Sequence, residues 1–272
     1  MIVQTRDEID LDRIAESGQC FRWVKCEEGY RIPHEGKMLL ARQIDDCTLE
    51  LNCTEEEFAA VWKSYFDFDT DYGCICSLIS PNEDPFLYEA IRAQAGVRIL
   101  RQNAWEMLIT SIITQKRNIP AIRNSVALLS QKAGTRCMDK EGRSFYAFPS
   151  PEQLDQMQDE GLSECRLGYR MRYVRCAARA VASGELDLAA LASLSDEECM
   201  AKLTALCGVG TKVAACIMLF GLHRLNAFPV DVWVKRILEN EYPDGYPWEK
   251  YSPYNGIYQQ FMFAYYREQT VK

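Results

Sequence analysis

No Cys-x-x-Cys pair occurs among the twelve cysteines of this 272-residue chain, which removes the usual spacing of a structural zinc or dithiol redox site. Most of these thiols read as reduced, buried small hydrophobes. The opening residues, Met1-Ile-Val-Gln-Thr-Arg-Asp-Glu8, lack the apolar core of a secretory signal, and the longest apolar run, around Ala214 to Leu222, is too short to cross a bilayer. A cytoplasmic protein with no membrane partner is expected. Internal repeats, low-complexity tracts, long linkers and basic import clusters are also missing, so the length is to be filled by one large or two smaller folded domains.

Positive charge is in short supply: 31 basic residues stand against 39 acidic ones, a net charge of −8 at pH 7. As a total, this argues against a nucleic-acid partner. Its distribution argues the other way. Nine acidic residues and one basic residue, Lys63, lie between Asp45 and Asp71, whereas Arg166, Arg170, Arg172, Arg175 and Arg179 crowd the stretch from Cys165 to Arg179 with no acid among them. One acidic part beside one basic surface suits an enzyme that turns a single face to phosphate; a solvated helix face accounts for the arginines equally well.

From Gly18 to Cys53 the pattern is short and β-like: Phe21-Arg-Trp-Val24, Tyr30-Arg-Ile32, Lys37-Met-Leu-Leu-Ala-Arg42 and Cys47-Thr-Leu-Glu-Leu-Asn52, separated by polar or Gly/Pro turns. Thr54-Glu-Glu-Glu57 then reads as a capping box opening a helix through Phe58, Val61, Trp62 and Tyr65. After Pro85 the character changes to serial helices with entry signals at Asn103, Ser150-Pro-Glu-Gln153 and Ser195-Asp-Glu-Glu198. The expected fold is α+β, with an antiparallel sheet domain over residues 1–90 and an all-helical domain over residues 91–272.

The strongest chemical signal is Leu203-Thr-Ala-Leu-Cys-Gly-Val-Gly-Thr-Lys-Val-Ala214, followed nineteen residues after its lysine by Asp231 in Phe228-Pro-Val-Asp-Val-Trp233. It reads as helix, tight hairpin, helix. Gly208 and Gly210 allow positive φ and close approach to a ligand, and the second helix opens with free N–H groups that suit a phosphate. Lys212 in its first turn is a candidate nucleophile. Burial and the helix dipole lower the pKa of such a lysine, and a nearby Asp231 raises it. Asp231 before an apolar-periodic run is also an ordinary N-cap.

Taken together, Ser17-Gly-Gln-Cys-Phe-Arg-Trp23, Gly96-Val-Arg-Ile-Leu-Arg-Gln102, Leu167-Gly-Tyr-Arg-Met-Arg-Tyr-Val174, Gly208-Val-Gly-Thr-Lys-Val-Ala214 and Pro229-Val-Asp231 resemble the 8-oxoguanine DNA glycosylase family, within the helix-hairpin-helix glycosylase superfamily. The resemblance implies a bifunctional glycosylase and lyase acting, as a monomer, on double-stranded DNA that contains 8-oxoguanine. Lys212 is then the Schiff-base nucleophile and Asp231 the carboxylate beside the reacting sugar. The carbonyl of Gly18 reads the N7–H that distinguishes the lesion from guanine. Gln259 meets the Watson–Crick edge, with its neighbour Gln260 as the alternative, and Phe263 and Cys216 sandwich the base. Tyr169 wedges the duplex, Arg170 and Arg166 reach the orphaned cytosine or phosphates, and Gly208 and Gly210 hold phosphate. No cofactor is implied beyond a monovalent cation (Na+ or K+) on the carbonyls of Thr204, Leu206 and Val209.

Departures from the family pattern are local. Lys116 falls where a cytosine-contacting asparagine is usual, Asn118 alone is kept from an asparagine run, and Ala121 falls where an arginine is usual, so weak selectivity for the opposite base is expected. Cys207 replaces a frequent proline, and Trp233 stands where a histidine often follows the aspartate. An iron–sulfur glycosylase is disfavoured, since no cysteine follows Cys216. A monofunctional glycosylase has no need of Lys212, and a non-catalytic helix-hairpin-helix binding module needs neither Lys212 nor Asp231.

Overall fold

Period-two burial organises the N-terminal third of the computed structural model, which describes residues 1–271. Strands β1 (Ile2–Gln4), β2 (Val24–Cys26), β3 (Gly29–His34), β4 (Lys37–Asp45) and β5 (Thr48–Leu51) form one antiparallel sheet in the order β1-β5-β4-β3-β2. Alternate residues Tyr30 and Ile32, Leu39 and Ala41, and Leu49 and Leu51 turn inward onto Leu11, Ile14, Trp62 and Phe66. The expected strand at Phe21–Val24 is displaced, because pairing begins only at Val24, opposite Arg31. Phe21 joins the helical core and Trp23 the sheet core, so the chain passes between two cores there.

The helix after Thr54 is less regular than its sequence suggests. Thr54 caps it by accepting from Glu57 N at 3.2 Å, but the reciprocal half of the box is absent because the Glu57 carboxylate accepts from Trp62 Nε1 at 3.0 Å and pairs with Lys140 at 2.7 Å. A π-helical turn over Phe58–Trp62 follows. Ser150 and Ser195 make complete capping boxes.

Beyond residue 85 the helices Pro85–Ala93, Ala104–Thr114, Ile119–Ala133, Arg170–Ala182, Asp196–Thr204, Thr211–Phe220, Val232–Glu241 and Asn255–Val271 pack around Leu108, Ile112, Ile217, Leu219 and Met262. This part is not purely helical. A two-stranded hairpin, β6 (Arg136–Met138) and β7 (Ser144–Tyr146), interrupts it and ties back to the sheet unit through Arg31–Asp139 at 2.7 Å and Asn52–Glu141 at 2.7 Å. The two cores also interleave in sequence: Tyr72, Ile75 and Leu87 belong to the helical core and Leu100 to the sheet core. No helix among the described residues is long and apolar enough to cross a membrane.

Asp67 bolts the two cores together. Its buried carboxylate accepts from Arg101 Nε at 2.8 Å and Tyr72 Oη at 2.9 Å. His223 Nε2 lies 3.0 Å away and makes no hydrogen bond of good geometry. Burial alone raises the pKa of this carboxyl, but His223, Arg101 and Thr70 together outweigh it and hold the group below its ordinary value. A depressed folded pKa contributes stability above the unfolded value of about 3.9 that is lost as pH falls through the folded value. Asp67→Asn is therefore expected to flatten the acid limb of a stability curve measured by urea unfolding between pH 6 and pH 3.

Candidate active site and DNA interface

The hairpin is built as the glycine pattern implies, with one correction. Gly208 takes φ +82°, and a Cβ there would lie 2.2 Å from Cγ of Tyr173, so both the backbone and the packed ring demand glycine. Gly208→Ala is expected to cost about 3 kcal/mol, combining left-handed strain with displacement of the ring; a shift in the urea midpoint reads it. Gly210, by contrast, has φ −91° and ψ 177°, an extended conformation open to any residue. Nothing lies within 4 Å of its hypothetical Cβ, so only an external ligand gives that position a reason to stay small.

Gly210 supplies no side-chain cap, so the first N–H groups of the helix Thr211–Phe220 have no side-chain acceptor. Lys212 is half-buried on the first turn of this helix, and Cys216 lies buried one turn further on the same face. Burial pushes the Cys216 thiol up; the charge and hydrogen bond of Lys212 pull it down, and the charge of Asp231 adds to the upward push. Lys212 and Asp231 thus bear on the Cys216 thiol with opposite sign. Asp231 caps the helix Val232–Glu241, its Oδ1 accepting from Trp233 N and Val234 N at 2.9 Å each. Both cap bonds fall on one oxygen, leaving Oδ2 outside the cap.

A second wall comes from the N-terminal unit. Gly18 has φ +83°, and a Cβ there would lie 3.5 Å from Phe263 Cε1 and 3.7 Å from an Arg267 guanidinium nitrogen. The loop around it is clamped by the Gly96–Gln102 segment. Gln19 is fully buried; its Oε1 accepts from Leu100 N at 2.8 Å and its Nε2 donates to Arg98 O at 2.7 Å and Ser17 Oγ at 2.9 Å. Gln102 Nε2 donates to Gln19 O at 2.8 Å.

Hydrogen bonding separates the two glutamines that the sequence leaves open. Gln260 donates to Ser17 O at 2.6 Å, which commits its amide to the protein. Gln259 is 4% exposed and its Oε1 finds no partner. A buried amide acceptor without a donor costs roughly 1–3 kcal/mol unless a ligand satisfies it. Phe263, four residues further along the helix Asn255–Val271, is half-buried beneath Arg267, whose guanidinium lies 5.5 Å from the ring centroid. Arg267 went unsuspected in the sequence, although its i+4 spacing from Phe263 is the available signal.

Tyr169 is 52% exposed, packs edge-on to Tyr173 and lies under the Arg170 guanidinium, 4.4 Å from its ring centroid. Arg166 is exposed at φ +57°. Arg170 is a correction. It is 5% exposed, and its guanidinium donates to the carbonyls of Gln115, Leu167 and Lys116, so it is spent holding the Gln115–Lys116 strap rather than offered to cytosine or phosphate. Gln115 Nε2 in turn donates to Gly208 O at 3.0 Å, joining strap to hairpin. Lys116 is exposed at φ +50°, and Asn118 caps the next helix by accepting from Ala121 N at 3.0 Å. Trp233 packs under Arg236, whose guanidinium lies 5.3 Å from its ring.

The hairpin carbonyls differ in how far they are engaged. Leu206 O accepts from Val209 N at 3.1 Å, whereas no turn or cap bond reaches Thr204 O or Val209 O among the described residues. Neutral carbonyls with spare lone pairs suit a hard monovalent ion.

The pattern for the 8-oxoguanine DNA glycosylase N-terminal domain matches residues 1–108, and that for the HhH-GPD superfamily of base excision DNA repair proteins matches residues 109–243. The chain is 31% identical over 246 residues to the N-glycosylase/DNA lyase OGG1 of Arabidopsis thaliana, covering 87% of this chain and 67% of the relative. The MBOgg1 protein bound to a low-affinity DNA ligand superposes with a TM-score of 0.92 at 37% identity, covering 99% of this chain and 96% of that one. The 8-oxoguanine glycosylase/lyase of Clostridium acetobutylicum, bound to duplex DNA with cytosine opposite 8-oxoguanine, gives 0.89 at 35%, covering 99% and 98%. With both family patterns matched in order over residues 1–243 and relatives above 30% identity covered over two thirds or more of their length, the chain belongs to the 8-oxoguanine DNA glycosylase family.

Proposed function

We propose that the protein is a bifunctional DNA glycosylase and abasic-site lyase that flips out and excises 8-oxoguanine. The observation that carries this reading is the placement of Lys212 on the first turn of the helix that follows the Gly208 hairpin and of Asp231 at the N-cap of the next helix, with one carboxylate oxygen outside the cap. A phosphate-binding module has no use for that pair, and a monofunctional glycosylase has none for the lysine.

The chemistry follows from the residues. The extruded base enters between Cys216 and Phe263, its N7–H donating to the Gly18 carbonyl and its Watson–Crick edge meeting Gln259. Guanine places an acceptor at N7 and is repelled by the same carbonyl. Neutral Lys212 Nζ attacks the sugar C1′; the glycosidic bond breaks and the base departs with the bonding pair. The Asp231 carboxylate stabilises the positive charge that develops on the sugar. Loss of a proton from nitrogen and ring opening give a Schiff base. Removal of a C2′ proton then expels the 3′ phosphate by β-elimination. The departing base anion takes the proton lost from nitrogen, water or the released base accepts the C2′ proton, and water hydrolyses the Schiff base to free the lysine. No step changes an oxidation state, so no redox or organic cofactor is needed, and a Na+ or K+ ion on Thr204, Leu206 and Val209 would brace the hairpin whose N–H groups hold phosphate. The protein works as a monomer on the cell's DNA, in the cytoplasm.

Opposite-base reading is thin. Arg170 is committed to the strap and Asn118 to its cap, leaving exposed Lys116, a point charge that suits phosphate better than a base edge, and exposed Arg166 as the one bidentate donor. Excision of 8-oxoguanine is expected to differ by less than about tenfold among the four opposite bases, since each lost bidentate contact removes roughly 1–3 kcal/mol of discrimination. Single-turnover rates on four duplexes check this, and steep cytosine selectivity would contradict it. The functional reading itself is tested by base release from duplexes carrying 8-oxoguanine, guanine or 3-methyladenine: release of 8-oxoguanine alone is expected, and binding without release of any base overturns it.

A further inference from the structure

Backbone carbonyls on both sides of Gly18 are engaged by side chains reaching over from other elements. Arg123 donates to Ala15 O at 3.0 Å, Arg267 to Glu16 O, Gln260 to Ser17 O at 2.6 Å, and Gln102 to Gln19 O at 2.8 Å. Gly18 O alone accepts nothing among the described residues. Because a peptide plane turns as a unit, fixing Ser17 O fixes the plane that carries Gly18 N and limits the directions open to the next carbonyl. Gln260 is 2% exposed and Ser17 is 2% exposed, so their bond is shielded from water and strong for a neutral pair. Gln260 also sits next to Gln259 on the helix Asn255–Val271, so a single helix sets both polar walls of the pocket.

We propose that Gln260 is a specificity-determining positioning residue: by holding the Ser17 carbonyl it aims the free Gly18 carbonyl at N7–H of the flipped base. This rests on the proposed reading of 8-oxoguanine by Gly18. Gln260 touches neither the base nor the sugar; it acts through the peptide that does.

The test compares base excision with cleavage of a preformed abasic site, which contains no base for Gly18 to read. Gln260→Met keeps the side-chain length and removes the donor. The ratio of single-turnover 8-oxoguanine excision to abasic-site cleavage is expected to fall about tenfold, the equivalent of one misdirected hydrogen bond. In Gln260→Glu the carboxyl donates to Ser17 O only when protonated, so the same ratio, taken against wild type, is expected to recover as pH falls from 8 to 5. An unchanged ratio in Gln260→Met, or an equal fall in both activities, overturns the proposal and makes the residue a packing element. Should Gln260→Met fail to fold, the Gln260→Glu profile decides alone: a flat profile overturns the assignment. Wild-type protein that releases guanine as fast as 8-oxoguanine marks failure of the Gly18 reading instead, whatever the variants do.

Discussion

Lys212→Gln is expected to abolish strand cleavage and to slow base excision by about a thousandfold or more, because the step that breaks the glycosidic bond loses its nucleophile rather than a contact. The substitution leaves an uncharged polar side chain, one bond shorter, at a half-buried position on the first turn of the helix Thr211–Phe220, so the hairpin and Gly208 under Tyr173 stay in place. Duplex binding therefore survives. A gel-shift measurement on DNA with an abasic analogue, run beside the excision assay, separates lost chemistry from lost binding. Excision within about tenfold of wild type would mean that water, not the lysine, attacks C1′, and the residual rate would then belong to the pocket and Asp231.

Asp231→Asn comes next in size. Asparagine caps a helix about as well as aspartate, so the bonds to Trp233 N and Val234 N can be kept and stability should change by less than about 0.5 kcal/mol. The negative charge beside the sugar is lost. A fall of about a hundredfold to a thousandfold in the excision rate is expected, the range seen when a preorganised group facing developing charge is removed. Asp231→Ala should lose a similar factor in rate and a further ~1 kcal/mol of stability through the missing cap. Equal stability with unchanged rate in Asp231→Asn would reduce the residue to a cap.

What could be read from the chain alone divides by range. The hairpin, Lys212 on its first turn and Asp231 at the next helix entry are local patterns, and local patterns survive translation into three dimensions. Even so, sequence grouped Gly208 and Gly210 together, and only the backbone separates them: one is glycine because Tyr173 presses on it at positive φ, the other although its conformation is ordinary. Gln259 and Gln260 are indistinguishable by spacing, because what separates them is a partner in the N-terminal unit more than 240 residues away, Ser17 at |i−j| = 243. Arg170 misled for a related reason. A basic run looks solvent-facing, and the carbonyls of Gln115 and Lys116 that capture its guanidinium lie in another segment. The short strands β1, β6 and β7, three residues each, carry too few side chains to show a period of two. Their pairing partners define them.

Lys212 is expected to bond covalently to the sugar of the excised nucleotide, and borohydride trapping captures that bond. Protein incubated with a duplex containing 8-oxoguanine opposite cytosine is reduced, digested and mapped by mass spectrometry. The account predicts one adduct, on the peptide that contains Lys212, absent from Lys212→Gln. Release of 8-oxoguanine with no trapped species, or an adduct mapped to another amine, would contradict it.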